Sequence, residues 1–258
     1  MAGTDEFFDY TDWFYPKKIE KEKLKVAFYT LMNYLKRHGA VYMKWNYVPE
    51  ESLSREFLKD FTTTFEQVDN TEIPFSNYSD YFLSLSKSTK QNLRTAENRL
   101  KRDNKKYELL SNLETNLSAD ILQKCIDIYC KRQREKYRKS IFNQAMIKTF
   151  NYSTEMLRKQ KGLIMVLTIN DDVASFMFGY INSRRKSYEV PKLAISEKYA
   201  FYSPGMLLVN KSIQLFADKT DIRILDLCRG TEQYKIKMGG EIYHTYNYKI
   251  DQLAGKTI

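Results

Sequence analysis

The chain has 258 residues, of which 43% are hydrophobic and 29% charged, with only 9 Gly and 5 Pro. This composition predicts a globular protein of one large domain or slightly more, and excludes a disordered, collagen-like or linker-dominated chain. No run approaches the roughly 18 apolar residues that a membrane-spanning helix needs. The acidic and aromatic opening MAGTDEFFDY differs from a signal peptide, so we expect a cytoplasmic protein.

Cysteine and histidine are too scarce for several kinds of site. The three cysteines show no C-x-x-C spacing, and the two histidines offer no cluster of zinc ligands, so we expect no metal. We interpret Cys125, Cys130 and Cys228 as structural thiols of a reducing compartment. A Ser-His-Asp or Cys-His site would need His38 or His244 as its base and is disfavoured.

The net charge of +10 is concentrated in two segments. Residues 87–106 carry eight basic and two acidic residues, and residues 131–139 carry six basic and one acidic. Both segments lack Gly and Pro and are predicted to be helical. They are either solvated faces of amphipathic helices or a cationic rim that attracts a polyanion: a phosphorylated cofactor, an acidic glycan or RNA.

Apolar periodicity and turn residues predict an alternation of helices and strands along the N-terminal part of the chain. The expected helices cover residues 19–37, 49–61, 78–85 and 87–105. The expected strands cover residues 40–48 and 62–68.

The C-terminal part has a more informative order. The expected strands cover residues 107–111, 162–169, 173–181, 187–195, 222–228 and 241–250. The expected helices cover residues 118–137, 143–160, 206–218 and 230–238, and residues 197–205 are predicted to form a loop. Antiparallel strands followed by a right-handed crossover make a mixed α/β sheet.

The sequence YSPGMLL at 202–208 predicts a tight turn that opens a helix. The first amides of a helix lack internal partners and lie at the positive end of its dipole, so they can bind an anion. Gly205 offers no side chain to block a phosphate, and Pro204 loses no needed donor. The same residues also begin ordinary helices, but a crossover between strands is where ligands collect. No P-loop or G-x-G-x-x-G motif occurs, which disfavours nucleotide hydrolysis and dinucleotide binding.

Two motifs together resemble the paired signature of the CelD-like, FemAB-related branch of the GNAT acyltransferases. They are YSPGMLL at 202–208 and ILDLCRGTEQYK at 224–235. LSKSTKQNLRTAENRL at 85–100 is similar to the basic helix of that branch, and DYTD at 9–12 to its early segment. The resemblance covers most of the chain and implies a GNAT acyltransferase fold, whose strand order agrees with the order predicted above.

Members of this branch usually carry two tandem GNAT-like halves, and here the first half looks abbreviated. The expected division is a partial N-terminal GNAT-like module at 1–85, and a basic helix plus C-terminal GNAT acyltransferase domain at 86–258. Whether a partner supplies the missing sheet, and whether the chain forms a homodimer, stays open.

The resemblance implies transfer of an acyl group from acetyl-CoA or another acyl-CoA to an amine of a sugar or other small molecule. The strand before the loop would diverge from its neighbour, and its backbone near Leu193–Ile195 would bind the pantetheine arm and polarise the thioester carbonyl. Amides around Gly205–Leu208 would hold the pyrophosphate. The implied cofactor-binding residues are Leu193, Ile195, Ser203, Gly205, Met206, Leu207 and Leu208.

Proton transfer needs an acid and a base. Tyr234 is the candidate acid, with a packing role as the alternative. The candidate bases are Glu189, Asp226 and Glu232. Asp226 lies within a strand, so a buried capping role or an ion pair with Arg229 is favoured for it. Arg229 and Lys235 either bind substrate or cofactor phosphate, or form structural salt bridges.

Two other functions stay open. A Fem-like aminoacyltransferase would share the fold and use aminoacyl-tRNA, with the basic helices binding RNA. A degenerate GNAT fold would act as a binding subunit without catalysis.

Overall fold

The structure is a computed structural model that describes residues 19–39, 42–61, 64–113, 115–136 and 144–251. The early segment at 9–12 lies outside the described residues. So do the predicted helix ends at 137 and 143 and the last part of the second basic segment.

The described residues form helices and strands in the predicted order. The helices are α1 Lys21–Arg37, α2 Leu53–Phe61, α3 Tyr78–Ser84, α4 Lys87–Arg102, α5 Ala119–Lys136, α6 Gln144–Arg158, α7 Pro204–Lys219 and α8 Gln233–Lys237. The strands are β1 Tyr42–Pro49, β2 Thr64–Pro74, β3 Tyr107–Ser111, β4 Leu163–Ile169, β5 Asp172–Asn182, β6 Ser187–Ile195, β7 Ile224–Arg229 and β8 Glu241–Asp251. The predicted α/β class with a mixed sheet is confirmed. None of the helices in these ranges is long and apolar enough to cross a membrane.

Three segments differ from the prediction. The expected helix at 49–61 begins at Leu53, and Pro49 belongs to β1. The expected loop at 197–205 contains a 3-10 helix, Glu197–Tyr202, and α7 already begins at Pro204. β2 continues six residues past Val68, because the fully buried Asn70 and Thr71 belong to it. Buried polar residues in a strand escape a search for apolar alternation. Here the Asn70 Nδ2 atom donates to the Val68 carbonyl at 2.9 Å, and Thr71 Oγ1 donates to the Gly230 carbonyl at 2.7 Å.

The chain divides into two compact units, residues 1–70 with 243–258, and residues 71–242. In the first unit, β1 pairs antiparallel with β8, and α1 and α2 bury Leu24, Phe28 and Leu58 against those strands. A bulge between Trp45 and Val48 interrupts the pairing. The predicted modules at 1–85 and 86–258 divide the chain by resemblance to the two halves of the family, not by compactness. That division remains a prediction.

The second unit has the strand order β7-β6-β5-β4-β3, antiparallel except for the parallel pair β6 and β7. Alternate residues of β4 enter two different cores. Leu163, Met165 and Leu167 join the core of α3, α4 and α7, whereas Ile164 and Val166 join the core of α5 and α6. Helices therefore cover both faces of the sheet, which explains why β4 is one continuous apolar run.

A bulge in β6 depends on a glycine in β5. Phe178 pairs with Lys192 and Tyr180 pairs with Glu189, so Gly179 lies opposite an extra residue of β6. A Cβ atom at Gly179 would overlap the carbonyl oxygen of Glu189. Only a residue without a side chain lets the two backbones approach this closely.

We expect Gly179→Ala to lower the free energy of unfolding by about 3 kcal/mol, because neither backbone can move without breaking the ladder. Urea unfolding followed by circular dichroism measures the change. Gly205→Ala is the matched control: its Cβ would meet the Ile195 Cγ2 atom at 3.2 Å, a contact that a shift of a few tenths of an ångström relieves. Equal stability of both variants would contradict the account of the bulge.

Candidate functional site

β6 and β7 separate after three residue pairs. Ser187 pairs with Ile224, Tyr188 with Leu225 and Glu189 with Asp226, and the register ends there. β6 nevertheless continues to Ile195, where it still pairs with β5 on its other side. The edge of β6 that faces β7 is therefore open from residue 190 to residue 195. This is the divergence that the resemblance predicted.

A turn of the backbone within β7 accompanies the separation. Cys228 has a φ of 56°, in the left-handed region that non-glycine residues rarely adopt. Its amide donates a hydrogen bond of 2.8 Å to the Asp226 Oδ1 atom. A side chain thus satisfies an amide that could otherwise have continued a strand ladder. Asp226 therefore caps this turn of the backbone, and its side chain is fully buried.

The start of α7 lies beside the end of β6. Ser203 is the N-cap residue, with φ and ψ both 50°. A Cβ atom added at Gly205 would lie 3.2 Å from Ile195 Cγ2. The Ser175 hydroxyl donates to the Pro204 carbonyl at 3.0 Å and ties the helix start to β5. Gly205 therefore lets the first turn of the helix approach the open edge of β6.

The helix start offers fewer unpaired amides than the sequence predicted. The Met206 and Leu207 amides both donate to the Ser203 carbonyl, at 3.1 and 3.2 Å. Leu208 lies beyond the first turn, where amides are bonded within the helix, and its side chain is fully buried, as is that of Leu207. Pro204 has no amide hydrogen. Within the described residues, the Gly205 amide and the Ser203 hydroxyl make no hydrogen bond to the protein.

Two arginines of the basic helix α4 lie against the segment before α7. The Arg99 Nη1 atom donates to the Phe201 carbonyl at 2.8 Å, and its guanidinium carbon lies 4.3 Å from the Phe201 ring centroid. The Arg102 guanidinium carbon lies 5.8 Å from the same ring. The positive charge of α4 is thus partly directed at the helix start rather than only at solvent.

Tyr234, on α8, packs half-buried against the core that contains α7. Burial raises the pKa of Tyr234 to about 12, Glu232 contributes in the same direction, and Arg132 of α5 opposes them. Its hydroxyl has no hydrogen-bond partner among the described residues. Tyr234 is therefore protonated at neutral pH and can donate its proton to a ligand.

The Lys235 ammonium hydrogen-bonds to the backbone at the end of β7 and the start of the loop before α8. Its side chain is 4% exposed, and its ammonium donates to the carbonyls of Leu227, Arg229 and Gly230 at 2.9, 2.6 and 3.2 Å. It also donates to the Cys228 carbonyl at 3.3 Å and pairs with Glu232 at 2.9 Å. Of the two predicted alternatives, the structural salt bridge describes Lys235, because its ammonium is surrounded by protein acceptors.

The three candidate bases occupy different surroundings. Glu232 precedes α8 as its N-cap residue and has an exposed side chain paired with Lys235. Asp226 is buried and accepts a hydrogen bond of 3.0 Å from Arg185. The Glu189 side chain is 16% exposed, and burial raises its pKa above the ordinary value of a glutamate. Arg229, which the prediction considered as a partner of Asp226, has an exposed side chain.

Glu189 points to the face of the sheet opposite α7. Its neighbours Tyr188 and Val190 belong to the core of α7, and successive residues of a strand point to opposite faces. Asn182 donates to the Glu189 Oε1 atom at 2.8 Å. Sequence reasoning missed Asn182 and Arg185. Both lie at the hairpin between β5 and β6, which brings them to Glu189, and neither belongs to a recognisable motif.

No group of histidine, cysteine, aspartate and glutamate residues that could hold a metal ion occurs within the described ranges.

Comparisons with known proteins agree with this geometry. Residues 87–236, more than half of the chain, match the family described as the acetyltransferase (GNAT) domain. The chain belongs to the GNAT family. The matched segment begins with α4 and contains both diverging strands, the start of α7 and Tyr234.

Several solved structures share the fold at low sequence identity. A conserved protein of unknown function from Bacteroides thetaiotaomicron has a TM-score of 0.60 and 14% identity, over 88% of this chain and 74% of that one. FemX has a TM-score of 0.59 and 9% identity, over 89% and 77% of the two chains. L-PGS from Bacillus licheniformis has a TM-score of 0.54 and 11% identity, over 92% and 75%. No curated protein matches the sequence.

We expect Lys235→Met to lower the free energy of unfolding by about 3 kcal/mol, because four backbone carbonyls lose the ammonium that donates to them. Urea unfolding measures the loss. Lys237→Met, two residues further on α8 and exposed, is the control and should change stability little. A Lys235→Met protein as stable as the control would show that the ammonium does not hold the loop.

Proposed function

We propose that the protein is an acyl-CoA-dependent N-acyltransferase of the CelD-like branch, acting on an amine of a sugar or another small molecule. The observation that carries the proposal is the open edge of β6, residues 190–195, which ends beside the start of α7. An extended thiol-bearing arm can hydrogen-bond to such an edge, and an anion can lie at the helix start.

In this proposal the donor lies with its pantetheine arm along β6 near Leu193 and Ile195. Its diphosphate accepts hydrogen bonds from the Gly205 amide and the Ser203 hydroxyl. Arg99 and Arg102, which flank Phe201, contribute the positive charge that one free amide cannot supply. Met206, Leu207 and Leu208 contribute through the helix dipole alone.

The reaction joins the acceptor nitrogen to the acyl carbon and breaks the carbon–sulfur bond of the thioester. The acceptor ammonium must first lose a proton, and Glu189 is the base that we favour. Asp226 is fully buried and bonded to Arg185 and the Cys228 amide, and Glu232 is exposed and paired with Lys235. Glu189 is partly exposed and lies at the point where the strands separate.

The departing thiolate accepts the proton of the Tyr234 hydroxyl. Tyr234 packs on the α7 side of the sheet, and Glu189 points to the opposite side. The donor and the acceptor would therefore approach the gap from opposite faces, each beside the group that completes its proton transfer. In this scheme Glu189 must be ionised and Tyr234 protonated, which fits the raised pKa of Tyr234.

Isothermal titration with acetyl-CoA tests the donor. We expect binding below about 1 mM, the upper end of ordinary KM values. Gly205→Glu should weaken binding at least about tenfold, because it adds a negative charge and bulk where the diphosphate lies. Gly205→Ala is the matched control, since it adds only the Cβ atom and should retain binding.

Two results would contradict this proposal. One is the absence of acetyl-CoA binding by the folded wild-type protein at that concentration. The other is equal affinity of the Gly205→Glu and Gly205→Ala variants, which would place the diphosphate elsewhere.

A second candidate function is Fem-like transfer from aminoacyl-tRNA. It is favoured by the exposed basic residues of the two basic segments and by a fold similar to that of FemX. The exposed basic residues described on α4 and α5 are Lys87, Arg94, Lys101, Arg102, Lys131, Arg132 and Arg134. RNA binding through such residues releases counterions and is weakened by salt.

For this candidate we expect tRNA affinity to fall with salt, with a log–log slope of about −0.7 to −0.9 per phosphate contact. Fluorescence anisotropy with labelled tRNA measures the slope. Arg94→Glu with Lys101→Glu on α4 should reduce affinity and slope, whereas Lys25→Glu with Arg37→Glu, exposed on α1, should not. Absent or salt-insensitive binding would remove this candidate.

A further inference from the structure

Four charged residues meet on the face of the sheet opposite α7. Arg185 lies in the turn between β5 and β6, Glu189 on β6, Asp226 on β7 and Glu72 on β2. Asp226 is fully buried, and the other three side chains are 16% to 26% exposed. The Arg185 guanidinium thus lies within 4 Å of three carboxylates that are mostly or fully buried.

Arg185 is shared unequally among them. Its Nη2 atom donates to Glu72 Oε2 at 2.6 Å, and its Nη1 atom donates to Asp226 Oδ2 at 3.0 Å. The distance from Nη1 to Glu189 Oε1 is 3.8 Å, beyond a hydrogen bond. Two short hydrogen bonds of the guanidinium are therefore directed at Glu72 and Asp226.

Glu189 is oriented by neutral groups instead. Asn182 donates to its Oε1 atom at 2.8 Å, and the Ser187 hydroxyl lies 3.4 Å from the same atom. The charged groups that act on Glu189 are Arg185 and Asp226, and Glu72 is in addition affected by Glu241 of β8. Burial raises the pKa of both Glu72 and Glu189.

We propose that Glu72 is a positioning residue, which occupies one side of the Arg185 guanidinium and so keeps Arg185 beyond hydrogen-bond distance of Glu189. This inference rests on the proposed function in so far as it takes Glu189 as the base. Glu72 lies outside the segment 87–236 that matches the GNAT family. A residue from the preceding strand would then set the basicity of a group within the matched domain.

The physical consequence has a definite sign. An arginine bonded to a carboxylate stabilises the ionised form and lowers the proton affinity of that carboxylate. With Arg185 held by Glu72 and Asp226, Glu189 keeps a higher proton affinity and can remove a proton from an ammonium more readily. Without the Glu72 carboxylate, Arg185 can turn toward Glu189 and make it a weaker base.

The test is a carbon-13 NMR titration of glutamate carboxyl groups, which reports the pKa of Glu189 without any assay of activity. The Glu189 signal is assigned by its absence in Glu189→Gln. In Glu72→Leu we expect the pKa of Glu189 to fall by about one unit, because Arg185 loses an acceptor. Glu72→Gln keeps an acceptor for Arg185, so its shift should have the same sign and be smaller.

The controls are Glu108→Leu and Glu108→Gln, which make the same changes at an exposed glutamate on β3. They should leave the pKa of Glu189 unchanged. An unchanged or raised pKa of Glu189 in the folded Glu72 variants would overturn the proposal. Glu72→Gln, nearly isosteric with the native residue, keeps the test valid if Glu72→Leu fails to fold.

A kinetic measurement separates this inference from the proposed function. The acidic limb of kcat/KM, followed by release of the CoA thiol, should move to lower pH by the same amount as the NMR pKa. Both variants remove the same negative charge, so a fall in the NMR pKa that is larger in Glu72→Leu than in Glu72→Gln supports the role of Glu72 whatever the kinetics show. If the acidic limb then stays in place, Glu189 is not the base, and the proposed mechanism fails while the positioning role stands.

Discussion

The functional geometry of this protein depends on one interrupted strand pairing. β6 and β7 are parallel neighbours for three residue pairs, and their ladder ends at Glu189 and Asp226. An open strand edge in the middle of a sheet leaves polar backbone groups without partners, and such groups are costly unless water or a ligand satisfies them. A fold that maintains this opening therefore has a place where an extended ligand can bind.

The opening is held by contacts within the loop that follows it. Asp226 satisfies the amide of Cys228 while the backbone of Cys228 adopts a left-handed conformation. The Lys235 ammonium then donates to four successive carbonyls, at the end of β7 and the start of the loop that follows it. A cation that bonds to several carbonyls at once makes their convergence favourable, although carbonyls alone would repel each other. Because Tyr234 directly precedes Lys235, the same interaction determines where the candidate acid lies.

Charge is distributed differently on the two faces of the sheet. On the side of α7, Arg99 and Arg102 lie against the segment that leads into the helix start. On the opposite side, three carboxylates surround Arg185. In the proposed reaction, the anionic donor would lie on the face of the two arginines and the amine acceptor on the face of the three carboxylates. This separation is consistent with the proposed reaction and does not depend on the identity of the acceptor.

The order of helices and strands, the crossover through α7 and the position of Gly205 at the helix start could all be predicted from the amino-acid sequence. Those features depend on local periodicity, capping and turn residues, which are properties of neighbouring positions. The sequence could not determine that Met206 and Leu207 bond back to Ser203, that Lys235 is enclosed, or that β2 extends through buried polar residues. The folded chain brings Arg185 into contact with Asp226, 41 positions away, and with Glu72, 113 positions away, and neither contact could be predicted. The partner of a charged side chain depends on which distant strands lie side by side, and no local pattern in the sequence records that arrangement.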